Sequence, residues 1–337
     1  MKYGDRCKYS GRFTQGLSLI ELLVSMLLGL ILSGGIVIAY LGAKRNYFYE
    51  EQMARMQENG RYAMRLLSRE LTMAGFFAGV PELNGVSAAA VGTDCSEWDW
   101  VLDGTHPIEL VNDYSGQSVP MSLHFTPLTC LDSAAIALDT DLIAIKRTAA
   151  EASLRRGIPA PGLTASTVQN WYLRLAAGNS PEWEKLRSID LLDGARANTS
   201  LSYWEWISRI IFIRRYSDSG NEDDDIPSLC METLAGDAMT SRCLVEGVEN
   251  MQLEFGIDTD ADGVPNQYKS APTGDEMRHA VAAKIHLILR SVSKIPGHQD
   301  DKTYTLGQKI LTAKHDPYLR RVFSTTVLLR NRIEPVG

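Results

Sequence analysis

Apolar residues dominate a stretch near the start of the chain, from Leu17 to Ala43, in which Glu21 is the only charged side chain. At about 1.5 Å of rise per residue, a helix from Leu22 to Ala43 is long enough to cross a bilayer core of about 30 Å. A secretory signal peptide fits poorly, because the run is too long and no small-residue cleavage site follows it. A plain signal anchor explains the run but not an acidic residue near its beginning.

The helical pattern continues beyond the apolar run. Apolar residues recur at spacings of three and four up to Ala74, and no proline occurs before Pro81, so one helix from about Leu17 to about Ala74 is predicted. The apolar face comprises Met53, Met56, Gly60, Ala63, Leu67, Leu71 and Ala74. This stripe predicts that the second half of the helix packs against a globular head.

After Gly79 the apolar pattern changes from a helical to an alternating period. Alternation predicts strands at residues 251–257, 283–289 and 323–329, and more fully apolar runs predict buried strands at 142–145 and 207–213. Residues 150–200, which are rich in Ala, Ser, Pro and Gly, are expected to form an irregular insertion. The predicted fold class is α+β, with a long N-terminal helix packed on a largely antiparallel sheet.

Composition and charge narrow the classes of function. The 337 residues are 45% hydrophobic and 22% charged, which excludes a mostly disordered chain. Four basic residues against one acidic residue give residues 1–16 a charge of +3, which leaves −10 for the rest of a chain whose total is −7. No basic stripe covers the acidic remainder, so nucleic acid is not an expected partner. A basic leader before an apolar run is an export signature.

The residues at the junction carry a resemblance to a known class. Gly16, Leu17 and the following residues through Glu21, behind the basic leader, resemble the processing site of type IV prepilins. In that class a prepilin peptidase cleaves after the glycine, and the new N-terminal residue is methylated. The resemblance therefore implies cleavage between Gly16 and Leu17, although Leu17 stands where phenylalanine is more usual.

The resemblance also implies a role for Glu21 in assembly. In the family, this glutamate contacts the methylated N-terminal amine of a neighbouring subunit and sets the axial register of the filament. A lone carboxylate in a water-poor filament core is costly unless it is paired, which gives that contact a physical reason. The alternative is that Glu21 reaches the membrane surface before assembly.

Two further stretches, residues 65–76 and 245–251, are similar to PilW-like minor pilins. This resemblance implies a minor pilin without enzymatic activity, which takes part in the initiation of pilus assembly or in the tip complex. It implies as partners a prepilin peptidase, other minor pilins, the major pilin, a tip adhesin and the inner-membrane assembly platform. The protein would sit in the inner membrane with its head in the periplasm and then in the pilus at the cell surface.

The implied organisation has four parts. These are a leader at 1–16 that is removed, a filament-core helix at 17–43, an amphipathic continuation at 44–79 and a head at 80–337. A type II secretion pseudopilin, built on the same plan, is one alternative. A membrane-anchored periplasmic enzyme or binding protein is another, but the sequence contains no G-x-S-x-G, H-E-x-x-H or Walker A motif.

Four cysteines remain once the leader is removed, namely Cys95, Cys130, Cys230 and Cys243. An even number in an exported head predicts disulfides, for which three pairings exist. Cys230 and Cys243 flank a short segment with a glycine and are expected to join a hairpin, which would leave Cys95 for Cys130. A zinc site is the rival interpretation, but the sequence has no C-x-x-C pair and no clustered histidines.

An acidic stretch resembles the first nine positions of an EF-hand-type calcium loop. Asp258, Asp260 and Asp262 place carboxylates at alternate positions, followed by a glycine that permits a sharp turn. The carbonyl of Val264 and the side chain of Asn266 would complete much of the coordination shell. The twelfth position is lysine, so the bidentate acid is missing, and a residue of the 222–225 run or Glu276 would have to replace it. The alternative is a solvated acidic turn.

Overall fold

A computed structural model describes residues 16, 18–81, 83, 86, 91, 100–116, 130–176, 180–193, 200–218, 220 and 224–331. The chain divides into two compact units, residues 1–51 and 52–337. One long helix, α1 (Leu19–Met73), begins in the first unit and ends in the second. The prediction of a single helix to about Ala74 is confirmed from Leu19 onward.

The second unit is built mainly of strands. In the described residues they are β1 (Ile108–Val111), β2 (Leu142–Thr148), β3 (Leu154–Arg155), β4 (Ile158–Pro159), β5 (Gln169–Leu175), β6 (Glu182–Arg187), β7 (Ser202–Arg214), β8 (Ser228–Ala235), β9 (Ala238–Glu246), β10 (Val248–Ile257), β11 (Gln267–Lys269), β12 (Ala280–Arg290), β13 (Tyr304–Leu306), β14 (Lys309–Leu311) and β15 (Arg320–Leu328). Two short helices accompany them, α2 (Ser188–Leu192) and α3 (Gly274–Arg278).

The strands form two main sheets, and every pairing within them is antiparallel. In the larger sheet β7 is the hub, since it pairs with β2, β3, β5 and β8. The smaller sheet has the order β11-β10-β12-β15, and β13 and β14 form a separate hairpin. The predicted α+β class with a largely antiparallel sheet is confirmed. Four of the predicted strands lie within β2, β7, β10 and β12, and the fifth, 323–329, extends one residue beyond β15.

Residues 150–200 are not an irregular insertion, so that expectation is wrong. Two hairpins, β3–β4 and β5–β6, lie in this region, and both pair with β7. Tyr172 and Tyr203 pack edge to face on these strands, and both side chains are buried. Prolines and glycines mark the turns here, while aromatic side chains supply the core that composition alone did not indicate.

The second half of α1 buries the predicted apolar face. Met56, Ala63, Leu67 and Leu71 are each at most 2% exposed. Gly60 allows the closest approach, because a Cβ atom there would lie 2.5 Å from Cζ of Phe323 on β15. This part of the helix therefore packs on the smaller sheet, as its sequence pattern predicts.

Two sets of hydrogen bonds fix the end of α1. Gly75 adopts a φ of 73°, the left-handed conformation that ends many helices, and its N–H donates to the carbonyl oxygen of Lys146 at 3.1 Å. The Asn331 side chain donates to the carbonyl oxygens of Thr72 and Ala74 at 3.2 and 3.3 Å. Asn331, which lies after β15 of the smaller sheet, therefore caps the end of the helix. Gly75, just beyond the helix, is bonded to β2 of the larger sheet.

Candidate functional site

The first unit of the chain presents an apolar helical surface. From Leu19 to Leu41, every large apolar side chain of α1 is exposed, and the most apolar 18-residue window has no buried residue. By length and composition, α1 is a helix that could cross a membrane. An apolar surface of this extent marks a site that contacts lipid or other protein chains.

Glu21 lies in the first turn of α1 and forms a capping box with Ser18. The Ser18 N–H donates to Oε2 of Glu21 at 2.9 Å, and the Glu21 N–H donates to the Ser18 hydroxyl oxygen at 3.2 Å. This S-x-x-E pattern satisfies backbone donors that an α-helix leaves without partners. Our sequence reasoning missed the cap, although the pattern Ser18-x-x-Glu21 before an apolar run was its signal.

The predicted processing site is only partly described. Gly16 is exposed and lies outside any helix or strand, three residues before α1 begins. Leu17, the predicted new N-terminal residue, lies outside the described residues. Cleavage between Gly16 and Leu17 and the pairing of Glu21 with a neighbour therefore stay predictions.

A buried ionic cluster joins α1 to the larger sheet. Glu70 is 1% exposed, and its carboxylate accepts hydrogen bonds from Nε and Nη2 of Arg147 at 3.1–3.2 Å and one from Nη1 of Arg209. Arg147 belongs to β2 and Arg209 to β7. The sequence pattern did not reveal this contact, because Glu70 interrupts the apolar face next to Leu71.

The disulfide between Cys230 and Cys243 is confirmed. The two residues are directly opposite each other on β8 and β9, so the bond joins the two strands of one hairpin. Cys130 is also disulfide-bonded. Its predicted partner, Cys95, lies outside the described residues, so the Cys95–Cys130 pairing stays a prediction.

The acidic loop between β10 and β11 brings the three predicted carboxylates together. One oxygen from each of Asp258, Asp260 and Asp262 lies within 4.8 Å of the others. Asp258 is buried, and burial raises the pKa of its carboxyl, but hydrogen bonds from backbone N–H groups, that of Gly263 first, outweigh this and hold the pKa below its usual value. Asp258 is therefore ionised at neutral pH, as a calcium ligand must be.

The remaining predicted calcium ligands, Asn266 and Val264, belong to residues that form hydrogen bonds within the loop. The Asn266 side-chain oxygen accepts hydrogen bonds from the N–H and the hydroxyl of Thr259, at 2.6 and 2.9 Å, so this amide closes the loop. Val264 is exposed, and its N–H donates to Asp262 at 2.7 Å. Ligation of calcium by Val264 and Asn266 stays a prediction.

The structure does not supply Glu276 as a replacement for the missing twelfth ligand. Glu276 forms an ion pair with Lys269, which occupies that twelfth position, and it accepts a hydrogen bond from the N–H of Thr273 at the start of α3. The Lys269 contact, followed by the Thr273 N–H, lowers the pKa of Glu276. The other proposed source of a ligand is the 222–225 run, of which Glu222 and Asp223 lie outside the described residues. Asp224 accepts a hydrogen bond from the Ser217 hydroxyl at 2.7 Å, and Asp225 pairs with Arg290.

Residues 212–331 match the family model of the type IV pilus-assembly protein W, PilW. This segment runs from the end of β7 through β15 and includes residues 245–251, where the sequence already resembled PilW-like pilins. The C-terminal part of the chain is PilW-like. The PilW-like segment contains the Cys230–Cys243 hairpin, the acidic loop and the smaller sheet, whereas residues 65–76 lie outside the match.

Among solved structures, a type IV-like pilin from Thermus thermophilus aligns with this chain at 11% sequence identity. The alignment covers 82% of this chain and 96% of the Thermus chain, with a TM-score of 0.36. The comparison with curated protein sequences finds no match. The similarity of residues 212–331 to PilW is therefore the comparison on which a proposal about function rests.

Proposed function

We propose that the protein is a minor pilin of a type IV pilus, which takes part in the initiation of assembly or in the tip complex. The match of residues 212–331 to the PilW pilus-assembly family is the observation that carries this proposal. The expected partners are a prepilin peptidase, other minor pilins, the major pilin, a tip adhesin and the inner-membrane assembly platform.

The exposed half of α1 supports a role in a membrane and then in a filament. Removal of apolar surface from water contributes about 25 cal/mol per Å², so a helix with this many exposed Leu, Ile and Val side chains is stable only in lipid or against other helices. A pilin helix meets both environments in turn. The head would then reside in the periplasm before assembly and at the cell surface afterwards.

Glu21 supports the filament role more specifically than the apolar surface does. An acid beside lipid is costly, and a helix cap alone does not pair its charge. The Ser18 cap uses Oε2 of Glu21. We propose that the carboxylate also pairs with the N-terminal amine of a neighbouring subunit once the leader has been removed.

Mass spectrometry of the exported protein tests the proposal at its first step. A mature chain that begins at Leu17 and carries one N-terminal methyl group is expected. Gly16→Glu should leave residues 1–16 attached and keep the protein out of purified pili. Gly11→Glu, which places the same charge in the same leader, is the matched control and should be processed normally.

Two results would contradict this function. A mature protein that still begins at Met1 would show that the apolar helix is a simple anchor. A correctly processed protein that is absent from pili and present in a secretion complex would identify a pseudopilin instead. Co-purification of the wild-type chain with other minor pilins, abolished by Gly16→Glu, is the supporting result.

A further inference from the structure

The larger sheet contains a lysine that is completely removed from solvent. Lys146 lies on β2, and its side chain is 0% exposed. Its Nζ atom lies 3.2 Å from Oε2 of Glu109, 4.0 Å from Oδ2 of Asp103 and 4.3 Å from the centroid of the Trp100 ring. None of the described residues gives this Nζ a hydrogen bond of good geometry.

Glu109 is nearly as deeply buried as the lysine, and the pairing of the strands fixes its position. It lies on β1 opposite Ala144, which places it diagonally across from Lys146 on the same face of the sheet. Its side chain is 5% exposed. Oε2 accepts a hydrogen bond from Nε1 of Trp100, whereas Oε1 has no hydrogen-bond partner among the described residues.

Burial of the Lys146 and Glu109 charges at this site is energetically unfavourable. A buried ammonium group is stabilised only when its partners compensate for the hydration that it loses. Among the described residues, the Lys146 ammonium has one near carboxylate and an aromatic face, but no hydrogen bond of good geometry. A reaction that removes both charges is therefore favourable in this dry site.

We propose that Lys146 and Glu109 condense to an intramolecular amide that links β2 covalently to β1. The Nζ atom attacks Cδ of Glu109, the Nζ–Cδ bond forms, and the Cδ–Oε1 bond breaks. Two hydrogens pass from the Lys146 ammonium to Oε1, which leaves as one water molecule. No oxidant or second reactant is needed.

Neighbouring groups are placed to assist each part of this step. The Trp100 N–H donates to Oε2, the oxygen that becomes the amide carbonyl, and so stabilises the negative charge that develops there. Asp103, whose Oδ2 lies 4.0 Å from Nζ, is a second carboxylate that holds the Lys146 side chain in place. Burial raises the pKa of Asp103, but hydrogen bonds from His106 and Thr105 and the charge of Lys146 hold it well below its usual range, so Asp103 stays ionised.

Proximity lowers the barrier to a condensation that is slow between free groups in water. Well-oriented groups in an intramolecular reaction have effective concentrations on the order of 10⁵–10⁸ M. The reverse hydrolysis needs a water molecule in a site whose two reacting side chains are 0% and 5% exposed. The amide would therefore accumulate as the folded protein ages.

Peptide mapping of the full chain, extracted from membranes in detergent, tests the link directly. After reduction of the disulfides, a protease that cleaves before aspartate separates Glu109, on residues 103–112, from Lys146, on residues 141–189. The expected result is a joined pair of peptides whose mass is about 18 Da below the sum of the two, the mass of the water lost. Fragmentation should place the bond between Lys146 and Glu109.

The same digest contains a matched control. Lys269 and Glu276 also form a lysine–glutamate ion pair, on different peptides, but their side chains are 37% and 28% exposed. This pair should remain free. Only free 103–112 and 141–189 peptides in the wild-type protein would overturn the proposal, as would fragmentation that places the bond at Asp103. A joined Lys269–Glu276 pair would show that the link arises during handling and would overturn it as well.

Discussion

Each half of helix α1 contains a glutamate in apolar surroundings, and the two carboxylates have different contacts. Among the described residues, the exposed Glu21 forms hydrogen bonds only in the local cap with Ser18. Glu70 is 1% exposed and is held by Arg147 and Arg209 of the larger sheet. The Glu70 carboxylate is therefore paired with charges of the folded chain, whereas the described residues give the Glu21 carboxylate no cationic partner.

The same contrast applies to the glycines of α1. Gly34, in the exposed half, has no atom within 4 Å of the place where a Cβ would lie, whereas Gly60 meets the ring of Phe323. Glycine weakens a helix by about 0.5–1 kcal/mol relative to alanine wherever it lies. At Gly60 the second unit itself recovers that loss through close packing, but at Gly34 no contact within the described chain does so.

The largest effect on folding is expected at Glu70. Glu70→Gln keeps the shape of the side chain but leaves two guanidinium groups beside a neutral amide, so the free energy of unfolding of the second unit should fall by about 3–5 kcal/mol. Urea unfolding of the full chain in detergent, followed by the fluorescence of Trp171, Trp204 and Trp206, measures this change.

Glu58 provides the matched control for that measurement, because it is an exposed glutamate on the same part of α1. Glu58→Gln should change the free energy of unfolding by less than about 0.5 kcal/mol. Equal losses in the two variants would show that the Glu70 cluster does not hold the helix to the sheet.

The second largest effect is expected at Gly60. Gly60→Leu forces a side chain into the space of the Phe323 ring and should destabilise the second unit by about 1–3 kcal/mol. Adding Phe323→Ala should recover part of the loss, because the two positions are in contact. Gly34→Leu should leave the unfolding of the second unit unchanged, and a loss there comparable to that of Gly60→Leu would refute the contrast between the halves.

Much of this architecture follows from periodicity, and the exceptions have physical causes. The apolar spacing up to Ala74 and the alternation at residues 283–289 predict α1 and β12, because one buried face imposes those periods. The hairpins of residues 150–200 were missed, since β3 and β4 have two residues each and both β3 and β5 depend on pairing with β7. Such pairing is set by tertiary contact and leaves no local signal.

The candidate sites likewise divide into those that are local in sequence, which could be predicted, and those that join distant elements, which could not. The Cys230–Cys243 disulfide and the convergence of Asp258, Asp260 and Asp262 are local in sequence, and both were predicted. The Glu70 cluster and the Lys146 site join residues of different elements, and charged side chains in a sequence ordinarily indicate exposure. Only the three-dimensional structure shows that these charges are buried together.

A smaller effect is expected from calcium at the acidic loop, where three carboxylates share one turn without the arginines that Glu70 has. If the loop binds calcium with a dissociation constant near 1 mM, the weak end for such loops, 10 mM calcium should stabilise the second unit by about 1.4 kcal/mol. Thermal unfolding in calcium against chelator measures this difference, and Asp258→Asn with Asp260→Asn should abolish it. A melting temperature that ignores calcium up to about 10 mM would mean that the loop is a solvated acidic turn.

The smallest effect on folding is expected at Glu21, although this residue should matter most for assembly. Glu21→Ala removes a cap worth about 0.5–2 kcal/mol to the start of the helix, but no contact with the second unit, whose free energy of unfolding should stay within about 0.5 kcal/mol of the wild type. Ser18→Ala removes the serine side of the same cap and keeps the carboxylate.

If the carboxylate pairs with a neighbouring amine, Glu21→Ala should be processed normally yet be scarce in purified pili, while Ser18→Ala should enter them. Equal loss of both variants from pili would assign Glu21 to helix capping alone, and normal entry of both would remove any role for it in assembly.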